Sequence, residues 1–281
     1  MTSIRPAAVA GSFYPAEPEE LSALLGDCFD KSPLGPRGAK EPDPSIIAGL
    51  VPHAGPIYSG PCAAHLYNQL DFSVQRIILL GVNHRTRGHK AALSPWSRWQ
   101  SPANETVVDG RLGDDLLARV KFLTRDAYAH AEEHSIEIQL PFLHRVLGKF
   151  EFVPISLSYL SIDECAELGS AIAAACKAQA GANIKTVILA SSDLSHYLSP
   201  GKTDELDQLA LDQVLEMNPE GLVRVVEDND ITMCGVLPTA VMLFAAHDLG
   251  ATQARLLKHC HSGEVKPMRK VVGYARVSKN L

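Results

Sequence analysis

Three continuous apolar runs stand out in the pattern of hydrophobic and polar positions along the chain. They cover residues 46–51, 76–81 and 186–190, and a fourth run of the same kind covers 150–157. Runs of this length that are bounded by Gly, Pro or small polar residues are typical of strands buried on both faces of a helix-covered sheet. The pattern therefore predicts an α/β protein in which these four runs are strands.

The segments between and after these strands have apolar positions at helical spacing or an Ala-rich composition, which predicts helices. The predicted helices begin at Pro18 and cover residues 61–70, 109–121, 162–180, 206–217, 219–227 and 239–249. Residues 91–108 are predicted to be irregular edge structure with weak strands, and residues 255–261 and 271–277 to be the last two strands. We expect a turn at 55–60 and a surface loop at 28–44, where Gly and Pro are frequent.

Three of the predicted strands lead directly into residues that can carry chemistry. The first run is followed by His53, the second by His84, and the third by Asp193 and His196. In open α/β sheets, ligands bind beyond the carboxyl ends of the strands. If these strands are neighbours in the sheet, the sequence predicts one shared site at that edge.

A further pair of histidines lies in the segment His-Ala-Glu-Glu-His. On a helix, His130 and His134 would share one face, as would Glu133 and Glu137. The order differs from the His-Glu-x-x-His signature of zinc hydrolases, so a bracing role for the two histidines is favoured over metal binding. We expect a helix here that packs inward and is interrupted or kinked near Pro141.

Composition limits the classes of function. The 281 residues are 46% hydrophobic and 21% charged, which is typical of a globular protein, and the length suits one large α/β domain or two small ones. The net charge of −6 argues against general nucleic-acid binding. No apolar stretch has the length of a membrane span and the start of the chain lacks a signal-peptide pattern, so we expect a cytoplasmic protein. The six cysteines show no CxxC pair and are expected to be reduced and mostly buried.

The residues at the predicted strand ends, together with Cys234, form the candidate site. Imidazole combined with thiolate or carboxylate suits zinc, iron or copper. Cys234 is open to three interpretations, as a metal ligand, a nucleophile or an inert core residue. The spacing of Asp193 and His196 would allow the carboxylate to orient the imidazole, which would then act as a general acid or base.

Other kinds of site have weaker support. Ser191 and Ser192 are not part of a Gly-x-Ser-x-Gly motif, so a serine hydrolase is disfavoured, and no phosphate-binding glycine loop follows any predicted strand. The basic segment that contains Arg85 and Arg87 is interpreted as a solvated loop in preference to an anion site.

Seven motifs, in this order and spacing, resemble those of the MEMO family, which in bacteria and archaea is called AmmeMemoRadiSam system protein B. They span nearly the whole chain, and they are Ala10-Gly-Ser-Phe-Tyr-Pro15, Val51-Pro-His-Ala-Gly55, Ser59-Gly-Pro-Cys-Ala-Ala64, Gly81-Val-Asn-His84, Glu132-Glu-His-Ser-Ile-Glu137, Ser191-Ser-Asp-Leu-Ser-His196 and Cys234-Gly.

The family is similar in fold to the catalytic subunit of class III extradiol dioxygenases, which are non-haem iron enzymes. This resemblance implies a single three-layer α/β domain over residues 1–281, with a mostly parallel or mixed central sheet and helices on both faces. It also implies a metal ion held by His53, His84 and Cys234, with His196 in the acid–base position.

The dioxygenases use a Glu where this chain has Cys234, and a thiolate favours copper, zinc or redox iron chemistry over catechol cleavage. We further expect four more residues in the second layer or cleft of the site, namely His134, Glu137, Asn83 and Tyr58.

Two functions of different class follow from these observations. The first is a metal-binding protein with a dioxygenase-like cleft, which acts as a redox or oxygen-dependent enzyme on a small molecule and uses iron in preference to copper or zinc. The alternative is a non-catalytic binding module that uses the same cleft for an anionic peptide or protein, with Arg85 and Arg87 as contacts. The resemblance also suggests radical-SAM and AMMECR-type proteins as partners, whereas nucleic acid and membranes are not expected.

Overall fold

The computed structural model describes residues 3–179 and 184–280, and within them twelve strands form one mixed sheet. The strands are β1 (Ile4–Arg5), β2 (Ile46–Val51), β3 (Val74–Val82), β4 (Ala91–Leu93), β5 (Arg98–Gln100), β6 (Glu105–Val108), β7 (Leu123–Arg125), β8 (Glu151–Leu157), β9 (Lys185–Ser191), β10 (His196–Leu198), β11 (Gln253–His261) and β12 (Val271–Asn280). The helices are α1 (Pro18–Gly26), which continues as a π-helical turn (Asp27–Lys31), α2 (Pro56–Gln69), α3 (Gly110–Arg119), α4 (Tyr128–Ala131), α5 (Gln139–Leu147), α6 (Ile162–Gln179), α7 (Pro200–Leu215), α8 (Pro219–Asp228), α9 (Val236–Asp248) and α10 (Ser262–Val265).

The strands that lead into the candidate residues are neighbours. The main path of the sheet is β1-β5-β6-β8-β3-β9-β2-β12-β10, with β11 paired to β12, and β4 paired to β7 and β8. Strands β8, β3, β9 and β2 are parallel to one another. The carboxyl ends of these four strands therefore meet at one edge of the sheet, as the shared-site prediction required.

The central strands are buried on both faces, which confirms the prediction from their continuous apolar character. Along β3, Ile78 and Leu80 belong to one hydrophobic core, whereas Ile77 and Leu79 belong to the other. Residues from α3, α6, α7, α8 and α9 complete the first core, and residues from α1, α2 and α5 complete the second. Because side chains alternate across a strand, helices cover both faces of the sheet and the protein has three layers.

Three predicted boundaries were wrong. The surface loop expected from residue 28 begins only after the π-helical turn Asp27–Lys31, in which Cys28 and Phe29 are buried. The expected turn at 55–60 is the first part of α2, because Pro56 at the first helical position is already set for a helix and Pro61 is accepted within a fully buried segment. Residues 129–141 do not form one helix, since α4 ends at Ala131 and α5 begins at Gln139, so the interruption precedes Pro141. His130 and His134 therefore do not share a helical face. The predicted end of α6 at Ala180 lies outside the described residues.

A buried ion pair fastens the N-terminal segment to the body of the protein. Arg5 donates to the Glu137 carboxylate at 2.5 Å, and both side chains are fully buried. The same carboxylate accepts the backbone N–H groups of Ala8 and Val9 and the hydroxyl of Tyr14. This carboxylate therefore satisfies four donors from residues 5–14 and holds them against the segment between α4 and α5. In the part of the chain that is described, no helix combines the length and apolar character needed to cross a membrane.

Candidate metal centre

A cavity of about 490 Å³ opens at the edge where the parallel strands end. The residues that line it include every residue predicted to bind metal or to act as acid or base. They are Phe13, His53, Ala54, Gly55, His84, His134, Asp193, His196, Tyr197, Thr232, Cys234 and Val272.

Three imidazoles form the centre of this cavity. His53, His84 and His134 each offer a ring nitrogen, and these three nitrogens lie within 4.8 Å of one another. The His84 and His134 rings stack with their centroids 4.6 Å apart, and the His53 ring meets each of them edge-on, at 5.1 and 5.4 Å. Nitrogen atoms at this separation can converge on a single metal ion.

The hydrogen bonds of His53 define its tautomer. Ser191 Oγ donates its proton to the Ser135 carbonyl at 2.7 Å and accepts an N–H from Gln139 at 2.8 Å. His53 Nδ1, 2.9 Å from the same oxygen, must therefore be the donor. In a neutral ring with its proton on Nδ1, Nε2 carries a lone pair, which is then the ligand atom that His53 offers at the cavity. Burial, and next the nearby charges of His84 and His134, hold the pKa of His53 well below its usual value, so the ring is neutral at pH 7.

Glu133 orients the second imidazole. His84 Nδ1 donates to Glu133 Oε1 at 2.9 Å, and the carboxylate also accepts the backbone N–H groups of His84, His134 and Ser135. Burial alone would raise the pKa of Glu133, but the hydrogen bond from His84 and the charges of both imidazoles bring it down to about 2. An ionised carboxylate behind a histidine fixes the ring orientation and leaves its Nε2 without a proton, as in many zinc sites.

His134 reaches the cavity because the segment between α4 and α5 lies unusually close to β3. Ser135 Oγ bonds both the N–H and the carbonyl of Val82. Gly81 permits this approach, since a Cβ at that position would lie 2.4 Å from Ile136. Burial lowers the pKa of His134 to about 4, so this ring is also neutral and able to bind metal at pH 7.

Cys234 lies beside His53. Its Sγ is 3.2 Å from His53 Nε2, although among the described residues it is not part of the group whose ligand atoms all lie within 4.8 Å. Burial, and next the Asp193 carboxylate, raise the pKa of the thiol. Gly235 allows this position, because a Cβ there would lie 2.4 Å from Ser192.

Asp193 and His196 both line the cavity, but they are held separately. Asp193 Oδ1 accepts the backbone N–H groups of His53 and Ala54, at 2.8 and 3.2 Å. His196 Nδ1 instead donates to the Thr232 carbonyl at 2.8 Å, so the prediction that Asp193 orients this ring was wrong. Burial raises the pKa of Asp193 to about 6, against the opposing effect of the His53 N–H.

The remaining candidates lie outside this cavity. Glu137 binds the N-terminal segment, and Tyr58 packs beside a small buried cluster that contains Cys62 and Cys260. Asn83 braces the loop after β3, since its side chain bonds both backbone groups of Arg87.

The basic loop and the first histidine of the pair have structural partners. Arg85 and Arg87 share the carboxylate of Glu132, at 3.4 and 2.9 Å. His130 is fully buried, 2.9 Å from the Ala92 carbonyl. These contacts agree with the interpretations of a solvated loop and a bracing histidine.

Three residues that shape the site were not predicted, namely Glu133, Thr232 and Phe13. Phe13 lies at the cavity with its ring 4.6 Å from that of His134. The sequence offered one hint of the role of Glu133, since this residue directly precedes His134. The ring that the Glu133 carboxylate orients is that of His84, however, which lies far away in the sequence.

Comparison with known proteins gives a consistent assignment. The family described as Memo-like protein matches residues 5–278. The chain is 36% identical over 280 residues to a MEMO1 family protein of Methanopyrus kandleri, covering 97% of this chain and 98% of that protein. It is 38% identical to MEMO1 family proteins of Ignicoccus hospitalis, over 282 residues, and Sulfolobus acidocaldarius, over 284 residues, with 98% of each chain covered. A solved structure of an uncharacterized Escherichia coli K12 protein, JW3007, is similar over 83% of this chain and 99% of its own, with a TM-score of 0.48 and 12% identity.

Proposed function

Because the chain belongs to the family of Memo-like proteins, we propose that it is a transition-metal protein in which His53 and His84 hold the ion, with His134 and Cys234 as the further donors. The observation that carries this proposal is the convergence of three ring nitrogens within 4.8 Å. A donor set of imidazoles and one thiol suits iron, copper or zinc, and we place iron first.

The protonation of the site fits a metal ion. Both His53 and His84 donate Nδ1–H to a neighbour, so the Nε2 atom of each ring carries no proton and has a lone pair that can bind a cation. Burial keeps the His53 and His134 rings neutral at pH 7, so neither has to lose a proton before it binds a cation. The thiol of Cys234 does have to lose its proton, and a bound cation would favour that loss.

We further propose a redox or oxygen-dependent reaction on a small molecule, in which a bound metal would supply Lewis-acid or redox chemistry. His196 is the candidate acid or base. Its Nδ1–H is committed to the Thr232 carbonyl, so Nε2 is free to take or give a proton in the cavity. Asp193, whose pKa of about 6 lies near neutrality, holds the backbone of His53 and Ala54 and is the second group able to exchange a proton.

Metal analysis of protein purified without an affinity tag tests the metal centre. We expect about one ion per chain in the wild type and a large loss in His53→Ala, His84→Ala and the His53→Ala/Cys234→Ala double variant. The single variants His134→Ala and Cys234→Ala measure what each further donor contributes. His247→Ala, which removes an exposed histidine of α9, is the matched control and should keep its metal. Equal and negligible metal in all proteins would refute the proposal.

Oxygen uptake by iron-loaded protein tests the catalytic part. With a small phenolic substrate, uptake should fall in His196→Gln while the metal content stays unchanged. Absence of uptake by the wild type with every catechol tried would count against an oxygen-dependent reaction but not against the metal centre.

The rival function, a binding module for an anionic peptide or protein, has less support from charge. Glu132 already pairs with both arginines that were expected to contact the anion, and neither arginine lines the cavity. Binding that survives metal removal and weakens with salt would favour this rival.

Association with radical-SAM and AMMECR-type proteins stays a prediction from the family resemblance.

A further inference from the structure

A second cavity, also of about 490 Å³, adjoins the metal centre. It shares the side chains of His84 and Cys234 with the first cavity. The two cavities therefore meet at these two residues, beside the imidazole cluster.

The two cavities differ in chemistry. Imidazoles and a carboxylate line the first, whereas aliphatic side chains dominate the second. They come from the ends of β3 and β8, from the bend after β8, and from α8 and α9. These side chains are Val82, Leu157, Leu160, Val223, Val236 and Leu237. The carboxylate in this lining belongs to Glu227, an exposed residue. A ligand group in this cavity gains by leaving water if it is apolar, and loses if it carries a charge, above all a negative one.

The bend after β8 keeps the second cavity open. Tyr159 has a φ of 48° and is 75% exposed, so its ring does not fill the cavity that it lines. The flanking backbone is fixed, because Ser158 donates to the Lys90 carbonyl at 2.7 Å and Asn83 donates to the Leu157 carbonyl at 2.9 Å. A non-glycine residue adopts this left-handed conformation only where its surroundings hold it, and such residues cluster at ligand sites.

We propose that the second cavity binds the apolar body of the ligand whose polar head reaches the imidazoles. The substrate class is then an uncharged aliphatic or aromatic compound that carries one oxygen or sulfur donor group. This inference rests on the proposed metal centre and adds to it the part of the site that selects the substrate.

A series of straight-chain hydroxamates, from acetohydroxamate to octanohydroxamate, tests the inference by calorimetry on zinc-loaded protein. The hydroxamate head binds the metal in every member, and only the length of the apolar body changes. We expect affinity to rise about fourfold with each added methylene until the cavity is full. A chain of the same length that ends in a carboxylate should bind at least about tenfold more weakly than octanohydroxamate.

Two variants of α8 localise the effect. Val223→Phe fills the cavity from its side and should keep the affinity for acetohydroxamate but lose the gain with chain length. Val225→Phe is the matched control, since it makes the same change at a half-buried position of the same helix that does not line the cavity, and it should keep the gain. If Val223→Phe fails to fold, Leu237→Phe takes its place. Metal-free wild type should also bind octanohydroxamate more tightly than acetohydroxamate.

The outcomes separate this inference from the metal centre. If acetohydroxamate binds the zinc-loaded protein but longer chains bind no better, the apolar cavity is not part of the ligand site and the metal centre stands. If the gain with length persists in Val223→Phe and Leu237→Phe, the chains bind elsewhere and the inference is overturned. If acetohydroxamate does not bind zinc-loaded protein at all, the accessible metal centre and the inference fail together.

Discussion

Glu133 is the single residue on which the ligand geometry depends most. It accepts the ring N–H of His84 and three backbone N–H groups, including that of His134. In Glu133→Gln one oxygen becomes an amide NH₂, which cannot accept, so part of this arrangement must break. We expect metal affinity to fall about 10- to 100-fold, as is usual when a carboxylate behind a metal-binding histidine is removed. Competition with a chelator of known affinity measures it.

Glu132→Gln provides the control for this prediction. Glu132 is the preceding residue and is half exposed, and its carboxylate pairs with Arg85 and Arg87 on the surface. Its loss should leave metal affinity nearly unchanged. An equal loss of affinity in the two variants would show that net charge, and not the hydrogen bond to His84, sets the affinity.

His130 predicts how stability depends on pH. Burial lowers its pKa to about 4, whereas an unfolded histidine has a pKa near about 6.5. Between these values the unfolded state binds a proton that the folded state does not, so folding stability is complete above about pH 6.5 and is lost as the pH falls toward 4. For His130 alone the loss between pH 7.5 and 5 is about 2 kcal/mol.

Urea unfolding of metal-free protein at these two pH values tests the prediction. His130→Gln keeps a donor for the Ala92 carbonyl and does not titrate, so its stability should fall less than that of the wild type. His247→Gln changes an exposed histidine and should follow the wild type. Equal losses of stability in all three proteins would mean that the pKa of His130 is the same in the folded and unfolded states.

For individual residues, the sequence predicted the position in the site best where a residue directly follows a strand. His53 and His84 could be placed at the site because each comes just after a buried apolar run. His134 was not placed at the centre, because its position depends on the contact of Ser135 and Ile136 with the end of β3. Contacts between residues about fifty positions apart leave no local pattern in the sequence.

Among the elements, the turn that leads into α9 controls the position of Cys234. A Cβ at Gly235 would lie 2.4 Å from Ser192 Cβ and 2.5 Å from the Ser191 carbonyl oxygen. Gly235→Ala must therefore push the turn away from the end of β9, at a cost of about 1–3 kcal/mol in stability. It should also lower metal affinity if Cys234 is a donor.

Gly201→Ala is the matched control, because it makes the same change near the start of α7, where no atom lies within 4 Å of the new Cβ. Alanine favours a helix over glycine, so this variant should be as stable as the wild type or slightly more stable. Thermal unfolding measures both. A Gly235→Ala protein with wild-type stability and metal content would show that the turn has room to move.

The elements differ in how well the sequence predicted them. The central strands were predicted closely because burial on both faces requires an unbroken apolar run, and the predicted range 46–51 is that of β2. The start of α2 and the gap between α4 and α5 were missed. In both segments tertiary contacts override local preference, since Pro61 is accepted inside a buried helix and Ser135 bonds to β3 in place of its own helix.

For the whole molecule, the site depends on segments that are distant in sequence but meet at one edge of the sheet. The parallel strands bring His53, His84 and Asp193 together, and the Arg5–Glu137 ion pair fastens the N-terminal segment that ends near Phe13. The fold class followed from the strand pattern and the family resemblance. The N-terminal attachment could not be predicted, because an arginine and a glutamate 132 positions apart give no sign of pairing.

Removal of the Glu137 carboxylate should therefore affect both stability and access to the metal. In Glu137→Ala, Arg5 stays buried without its partner, and the N–H groups of Ala8 and Val9 lose their acceptor. Breaking a buried ion pair from one side costs about 3–5 kcal/mol, which denaturant unfolding can measure. Released from this anchor, Phe13 no longer covers His134, so a chelator should remove zinc faster. Glu167→Ala, at an exposed position of α6, should change neither quantity. If Glu137→Ala lost stability but released zinc at the wild-type rate, the N-terminal segment would support the fold without covering the site.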